Sequence, residues 1–343
     1  MSGEAKADAG AAEIELERSL LARGSEAAGV DTTIPVIDMS QSDEVVAAEM
    51  WDAASNVGFF TVVGHGIAQD VIEQSFGVAQ EFFSLEREEK EAASPFAQQL
   101  NSGYEFMTQV RPSTGTADQK ESLQITARQG CMDGRWPSSP ANFEEVSKTM
   151  AANCNALVGR ILTLLESKAC PDLAPGTLAR AHTLWGEDGQ CTLRYLHYPP
   201  MDVNTLEKLT GGNGPVHWRA GPHTDWDCIT LLFQRLGQAG LECSANPRDL
   251  SKPQGWSAVP PAEGGIAINI GDMLSRWSDG RLFSNLHRVR MPTKEECTPP
   301  SSRYSIAFFA QADKSTIISS QDSEPITAGD YILSRIRSNF AKK

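Results

Sequence analysis

Hydrophobic positions along the chain fall into two regimes. Up to about residue 188 most of them recur at helical spacing; beyond it they come in short runs broken by Gly, Pro and Asp. In "SDEVVAAEMWDAASNVG" Val46, Met50 and Trp51 share one helical face. "DVIEQSFGVAQEFFSL" (70–85) returns to that spacing through Ile72, Phe76 and Phe83. A long helix fits 141–169, with Phe143, Val146, Met150, Leu157, Ile161 and Leu164 in phase, and "LAPGTLARAHTLWG" predicts another that ends at Gly186. "TIPVIDMS", "GFFTVVGHGI" and "KESLQITAR" read as strands within this half, and Glu91 to Trp136 is otherwise irregular.

After Gly189 the strand candidates follow closely: "QCTLRYLHYPP", "HTDWDCITLLFQ", "GLECSA", "WSAVPP", "GIAINIGD", "SNLHRVRMP" and "RYSIAFFAQ". That many strands in about 120 residues mark a sandwich or barrel. "DYILSRIRSNF" closes the chain as a helix. The expectation is an α+β protein with a mainly β core. A helical region (33–188) would pack around a β core with its C-terminal helix (189–343) as one compact unit. Residues 1–32, rich in Ala, Gly and Glu, read as a flexible tail in which Ile14, Leu16, Leu20 and Leu21 form a short docking helix.

Composition narrows the function classes. Of 343 residues, 40% are hydrophobic and 22% charged, which suits a packed core. The net charge of −14 argues against nucleic-acid and anionic-membrane partners, so any anionic ligand must be met by local Arg or Lys. Seven scattered cysteines without a CxxC pair fit neither a disulfide framework nor a zinc ribbon. No apolar run of about 18 residues occurs. The N-terminus has neither an apolar signal core nor an Arg-rich transit pattern. A cytoplasmic protein, monomeric or weakly homo-oligomeric, that acts on a small molecule is expected.

The chemistry concentrates in "RAGPHTDWDCITLLFQ". Read as one strand, it points His223 and Asp225 the same way, because side chains alternate along a strand. His287, 62 residues on (287 − 225), lies on another strand candidate. Two histidines and a carboxylate on one face make the facial triad of non-haem Fe(II) oxygenases, with positions left for cosubstrate and O₂. A structural zinc site would want a fourth ligand. Arg303 and Ser305, two apart in "SSRYSIAFF", pair a planar guanidinium with a hydroxyl, which suits capture of a carboxylate.

This ordered set, His223-Thr224-Asp225, His287 and Arg303-Tyr304-Ser305, resembles the Fe(II)- and 2-oxoglutarate-dependent dioxygenases of the isopenicillin N synthase-like type. "IPVIDMS", "VGFFTVVGHGI", "LRYLHYPP" and "INIGDMLSRWSDGRLFSNLHRV" extend the likeness from about Ile34 to Phe340, and within the family it is nearest to fungal thymine 7-hydroxylase-type enzymes. The resemblance implies a double-stranded β-helix (jelly roll) with helices packed around it. It implies that His223, Asp225 and His287 bind Fe(II), and that Arg303, Ser305 and Tyr198 bind the distal carboxylate of 2-oxoglutarate. The implied reaction consumes O₂ and 2-oxoglutarate, releases succinate and CO₂, and oxidises a substrate C–H bond by hydroxylation, desaturation or cyclisation. In one place the chain departs from plant members, which often carry Asn where Leu196 stands.

Tyr104, Gln124, His217 and Phe309 are the candidates for substrate contact, beside the bland reading of each as core or lid. His65 reads as a turn residue, and His197 should face away from Tyr198. Two rivals stay open at this point: an iron oxidase of the same fold that does not use 2-oxoglutarate, and a non-catalytic binding homologue.

Overall fold

The computed structural model describes residues 33–110, 114–211, 216–246, 255–320 and 323–340; the tail and its expected docking helix lie outside them. The helical half runs β1 (Val36–Asp38), α1 (Asp43–Asn56), β2 (Phe59–Val63), α2 (Gln69–Phe83), α3 (Arg87–Ala93), β3 (Gly103–Phe106), β4 (Glu121–Thr126), α4 (Phe143–Ala169) and α5 (Thr177–Arg180). Then come β5 (Thr192–Tyr198), α6 (Val203–Thr210), β6 (Ala220–His223), β7 (Ile229–Gln234), β8 (Leu241–Ser244), β9 (Trp256–Ala258) and β10 (Ile266–Ile270). The chain closes with α7 (Asp272–Trp277), β11 (His287–Val289), β12 (Arg303–Ala310), β13 (Ile317–Ser320), β14 (Ser323–Thr327) and α8 (Ala328–Phe340).

An eight-stranded sheet has the order β1-β2-β10-β7-β12-β5-β4-β3, and a four-stranded sheet the order β6-β11-β8-β9. Apart from β1 with β2, the pairs are antiparallel. Both faces of the large sheet are buried, which is why its strands read as nearly continuous apolar runs. One face, through Leu123, Leu193, Tyr195, Leu231, Ile268 and Phe308, joins Met50, Phe76, Phe82, Phe143 and Ile161 of the helices in the main core. The other face, through Leu196, Tyr198, Ala267 and Ala307, meets Ala220, Leu241, Cys243 and Val289 of the small sheet.

Two expectations change. The helix predicted to end at Gly186 shrinks to the four residues of α5. The chain turns instead so that Thr183 donates to Asp313 through both its backbone N–H (2.9 Å) and its hydroxyl (3.0 Å). "HTDWDCITLLFQ" is not one strand. β6 ends at His223 in the small sheet and β7 begins at Ile229 in the large one, with a bend between. The bend brings Asp227 so close to Gly271 that a Cβ there would lie 2.2 Å from the Asp227 carbonyl, so "NIGD" needs its glycine.

Candidate active site

His223 and Asp225 face each other because the chain leaves one sheet for the other between them, not because a single strand alternates. His223 ends β6, directly across from His287 on β11. Antiparallel pairing therefore sets the two imidazoles side by side, with centroids 4.2 Å apart. Asp225 reaches them from the bend: Oδ1 is 3.7 Å from His223 Nε2 and Oδ2 is 3.7 Å from His287 Nε2. One ligand atom from each residue falls within 4.8 Å of the other two.

The neighbours orient these groups for a cation. His223 Nδ1 lies 2.7 Å from the Gly221 carbonyl, which can only accept, so Nδ1 carries the hydrogen and Nε2 presents its lone pair to the centre. Asp225 Oδ2 accepts from Asn269 Nδ2 (2.9 Å) and Thr230 Oγ1 (2.6 Å). Thr230 Oγ1 is also 2.8 Å from Asp227 Oδ2, yet a hydroxyl has one hydrogen to give. Burial, and then the charge of Asp225, raise the Asp227 pKa, which favours a neutral Asp227 that donates to Thr230 and leaves the Thr230 hydrogen for Asp225. Behind the bend, Asp272 ties the segments together. Its N–H donates to the Asp225 carbonyl (2.8 Å), and its carboxylate accepts from Thr224 (2.9 Å), Ser284 (2.6 Å) and Arg335 of α8 (2.7 Å).

Arg303 and Ser305 point into the same space from β12, and each is only 2% exposed. Arg303 Nε donates to the Gln238 carbonyl (3.1 Å) and Nη2 to Gln234 Oε1 (3.2 Å), while Nη1 and the Ser305 hydroxyl are buried without a partner. Tyr198 pairs with Arg303 across the β5–β12 ladder, and the guanidinium sits 4.8 Å from its ring centroid. Leu196 stands opposite Ser305 and cannot satisfy its hydroxyl. Two unmatched polar atoms in a buried site call for a ligand oxygen. The donor set of two imidazoles and one carboxylate fits Fe(II), and the Arg–Ser pair fits a carboxylate, so the residues suit both iron and 2-oxoglutarate.

The substrate candidates separate. Gln124 and Phe309 lie on the inner face of the large sheet. Gln124 Oε1 accepts from Arg194 Nε (3.0 Å), its Nε2 donates to Glu105 (2.7 Å), and the Arg194 guanidinium lies 4.7 Å from the Phe309 ring centroid. Tyr104 is a correction. It pairs with Leu123 on β4 and shares its outward face, packs on Phe82 in the helical core, and donates its hydroxyl to Glu121. The stretch predicted as a lid is a strand, and its alternation turns Tyr104 away from the site. His217 precedes β6, where flanking Val216 accepts from Thr116 and Trp218 from the Gln119 N–H; no hydrogen bond or ring contact joins it to the triad among the described residues. His65 accepts from the Ile67 N–H (3.1 Å) in its turn, and His197 faces the helices, as expected.

Sequence reasoning missed Arg194, Arg219, Thr230, Gln234 and Asn269. A signal existed for three of them. Asn269 interrupts the apolar "GIAINI", and Thr230 and Gln234 stand at alternate positions of "ITLLFQ". Arg194 and Arg219 carry no pattern that separates them from surface arginines.

Residues 34–143 match the family described as the non-haem dioxygenase in morphine synthesis N-terminal domain, and residues 188–312 match the 2OG-Fe(II) oxygenase superfamily. The 2-oxoglutarate-Fe(II) type oxidoreductase hxnY of Emericella nidulans is 32% identical over 74% of this chain and 70% of its own length. Validamycin A dioxygenase of Streptomyces hygroscopicus is 28% identical over 82% and 77% respectively. Among solved structures, the thymine 7-hydroxylase of Neurospora crassa in complex with alpha-KG superposes with a TM-score of 0.74 at 25% identity, covering 91% of this chain and 99% of that one. Among the described residues no helix is long and apolar enough to cross a membrane. This protein belongs to the 2OG-Fe(II) oxygenase superfamily and is a 2-oxoglutarate- and Fe(II)-dependent dioxygenase acting on a small metabolite.

Proposed function

We propose that His223, Asp225 and His287 hold the iron, and that Arg303, Ser305 and Tyr198 hold the distal carboxylate of 2-oxoglutarate. The two facing sheets are then the walls of a double-stranded β-helix. The observation that carries this reading is the three ligand atoms within 4.8 Å in the same interior as the unmatched Arg303 Nη1 and Ser305 Oγ. Iron, when bound with O₂ and 2-oxoglutarate, supplies the oxidising power that ends in succinate and CO₂. The protein contributes position. His223, fixed through Nδ1, and Asp225, fixed through Oδ2, are preorganised before any ligand arrives. Arg303 and Ser305 hold the far end of the cosubstrate, and the apolar lining of Leu196, Ala307 and Val289 limits water.

On the same reading Arg194, Gln124 and Phe309 form the substrate wall. A guanidinium stacked on a phenyl ring, with an amide beside it, receives a small polar molecule with a carboxylate or carbonyl edge and a flat or apolar body. This is a local answer to the net charge of −14. The test has two parts. Anaerobic addition of Fe(II) and 2-oxoglutarate should produce a weak visible absorption band, and its absence would count against the cosubstrate assignment. A panel of small carboxylates and cyclic carbonyl compounds should then contain members that stimulate succinate formation. Arg194→Met should remove that stimulation while leaving succinate formation without substrate unchanged.

A further inference from the structure

A second buried guanidinium lies beside the Tyr198 ring that Arg303 contacts. Arg219 is 6% exposed, immediately precedes β6, and lies 5.7 Å from the centroid of the same Tyr198 ring that Arg303 stacks on at 4.8 Å. Its Nε is buried without a hydrogen-bond partner. The nearby acid, Glu296, is already engaged by Arg290 through both carboxylate oxygens (2.8 and 2.9 Å). Three guanidinium groups and one carboxylate leave this corner two positive charges in excess, and among the described residues no carboxylate forms a hydrogen bond with Arg219 or Arg303. Burial, and then the charge of Arg303, push the Arg219 pKa down to about 10, still high enough to keep it charged at neutral pH. Two like charges held out of water around one ring are costly until an anion comes between them.

We propose that Arg219 is a second cation for the distal carboxylate of 2-oxoglutarate, acting from the β6 side while Arg303 and Ser305 act from β12. The Arg219–Arg303 pair then sets the preference for a 2-oxo acid with a charged tail over one with a neutral tail. This rests on the assignment of Arg303 and Ser305 to 2-oxoglutarate. It also gives Tyr198 a further duty: its ring is the common surface on which both guanidinium groups are held, whatever its hydroxyl does.

The test is equilibrium binding to the Fe(II)-loaded protein under anaerobic conditions, with no turnover. Two ligands of equal length are compared: 2-oxoglutarate, and 2-oxopentanoate, which lacks the distal carboxylate. Arg219→Met should weaken 2-oxoglutarate by about tenfold or more and leave 2-oxopentanoate within about twofold, so the selectivity ratio falls. Equal weakening of both ligands, or an unchanged 2-oxoglutarate affinity, overturns the proposal and leaves Arg219 a packing residue for Tyr198. Arg303→Met separates the cosubstrate assignment from the role of Arg219. If it leaves the selectivity ratio at the wild-type value, the cosubstrate assignment itself fails; if it lowers the ratio while Arg219→Met does not, only the Arg219 proposal fails. Should Arg219→Met not fold, Arg219→Gln, which removes the charge and keeps hydrogen-bonding groups, should lower the ratio in the same way. A wild-type ratio in Arg219→Gln overturns the proposal.

Discussion

Two buried clusters of ionisable side chains lie on opposite faces of the eight-stranded sheet, and residue type alone does not tell them apart. The outer one contains Glu121, His197, Lys90 and Tyr104, a set that would suit acid–base chemistry. Glu121 accepts from Lys90 (2.8 Å), His197 Nδ1 (2.5 Å) and the Tyr104 hydroxyl, and His197 Nε2 contacts Ser302 (2.9 Å) while its ring stacks on Tyr304. The inner cluster contains His223, Asp225, His287, Arg219, Arg303 and Ser305. Consecutive residues of β5 serve opposite clusters, His197 the outer and Tyr198 the inner. What differs is satisfaction. The outer carboxylate has its donors in place, whereas the inner cluster keeps Arg303 Nη1, Ser305 Oγ and Arg219 Nε unmatched. A buried polar group that the fold leaves unmatched costs stability, so the inner cluster reads as a place built for ligands and the outer one as a structural tie.

Four experiments can break or sharpen that contrast. The largest effect is expected from Asp225→Ala, which should reduce succinate formation more than about a hundredfold while the protein stays folded by circular dichroism. Full activity would remove Asp225 from the site. Next, Glu121→Ala should act in the opposite sense. It leaves Lys90 buried and uncompensated, so denaturant unfolding should show a loss of about 3–5 kcal/mol, with turnover of the remaining folded protein within about threefold of wild type. A large loss of turnover with little loss of stability would make the outer cluster functional after all.

The third experiment uses pH. His182 is buried against the Leu178 carbonyl (2.8 Å), and burial depresses its pKa to about 4. The unfolded chain therefore binds a proton there between pH 6.5 and 4 that the folded chain does not, and stability falls as pH falls through that window. The full effect is about 3 kcal/mol, and His182→Asn should flatten that part of the stability profile. Burial raises the Glu121 pKa, but the hydrogen bonds from His197, Lys90 and Tyr104 outweigh it and hold the carboxyl below its usual range. Its contribution is thus present above about pH 4.5 and is lost only in stronger acid, as pH falls through the lowered value. An unchanged profile in His182→Asn would mean that the ring protonates in the folded protein. The smallest effect concerns Asn269. Asn269→Ala removes a donor to Asp225 Oδ2, and Co(II) titration should show metal affinity down about tenfold, or about 1.4 kcal/mol. Unchanged affinity would make Thr230 sufficient by itself.

The parts of the site that were legible in the sequence are those whose chemistry is local. His223, Asp225, His287, Arg303 and Ser305 stand in short stretches whose order and spacing, more than their residue types, pointed to a metal and a carboxylate. Even there the reason for one pairing was misread: the fold turns "HTDWD" through a bend between sheets, where the apolar pattern suggested a continuous strand. Gln124 and Phe309 came to the inner face as alternation allows, and Tyr104 did not, because a one-residue difference on a strand selects the opposite side. The helices at 43–56, 69–83 and 143–169 were readable because their apolar stripes are long. α6 and α7, of eight and six residues, were not, since so few turns carry little periodicity.

By itself, then, the amino-acid sequence determined the α+β class, the long helices, the triad and the Arg–Ser pair, all properties of neighbouring residues and their spacing. Tertiary structure alone decided that Arg219 and Arg303 share one ring, that Arg194 rests on Phe309, and that Glu121 and His197 satisfy each other away from the site. Those relations join positions as far apart as 121 and 197 or 219 and 303. They depend on strand register and on which face each side chain takes, and neither is encoded in the local pattern of any one segment.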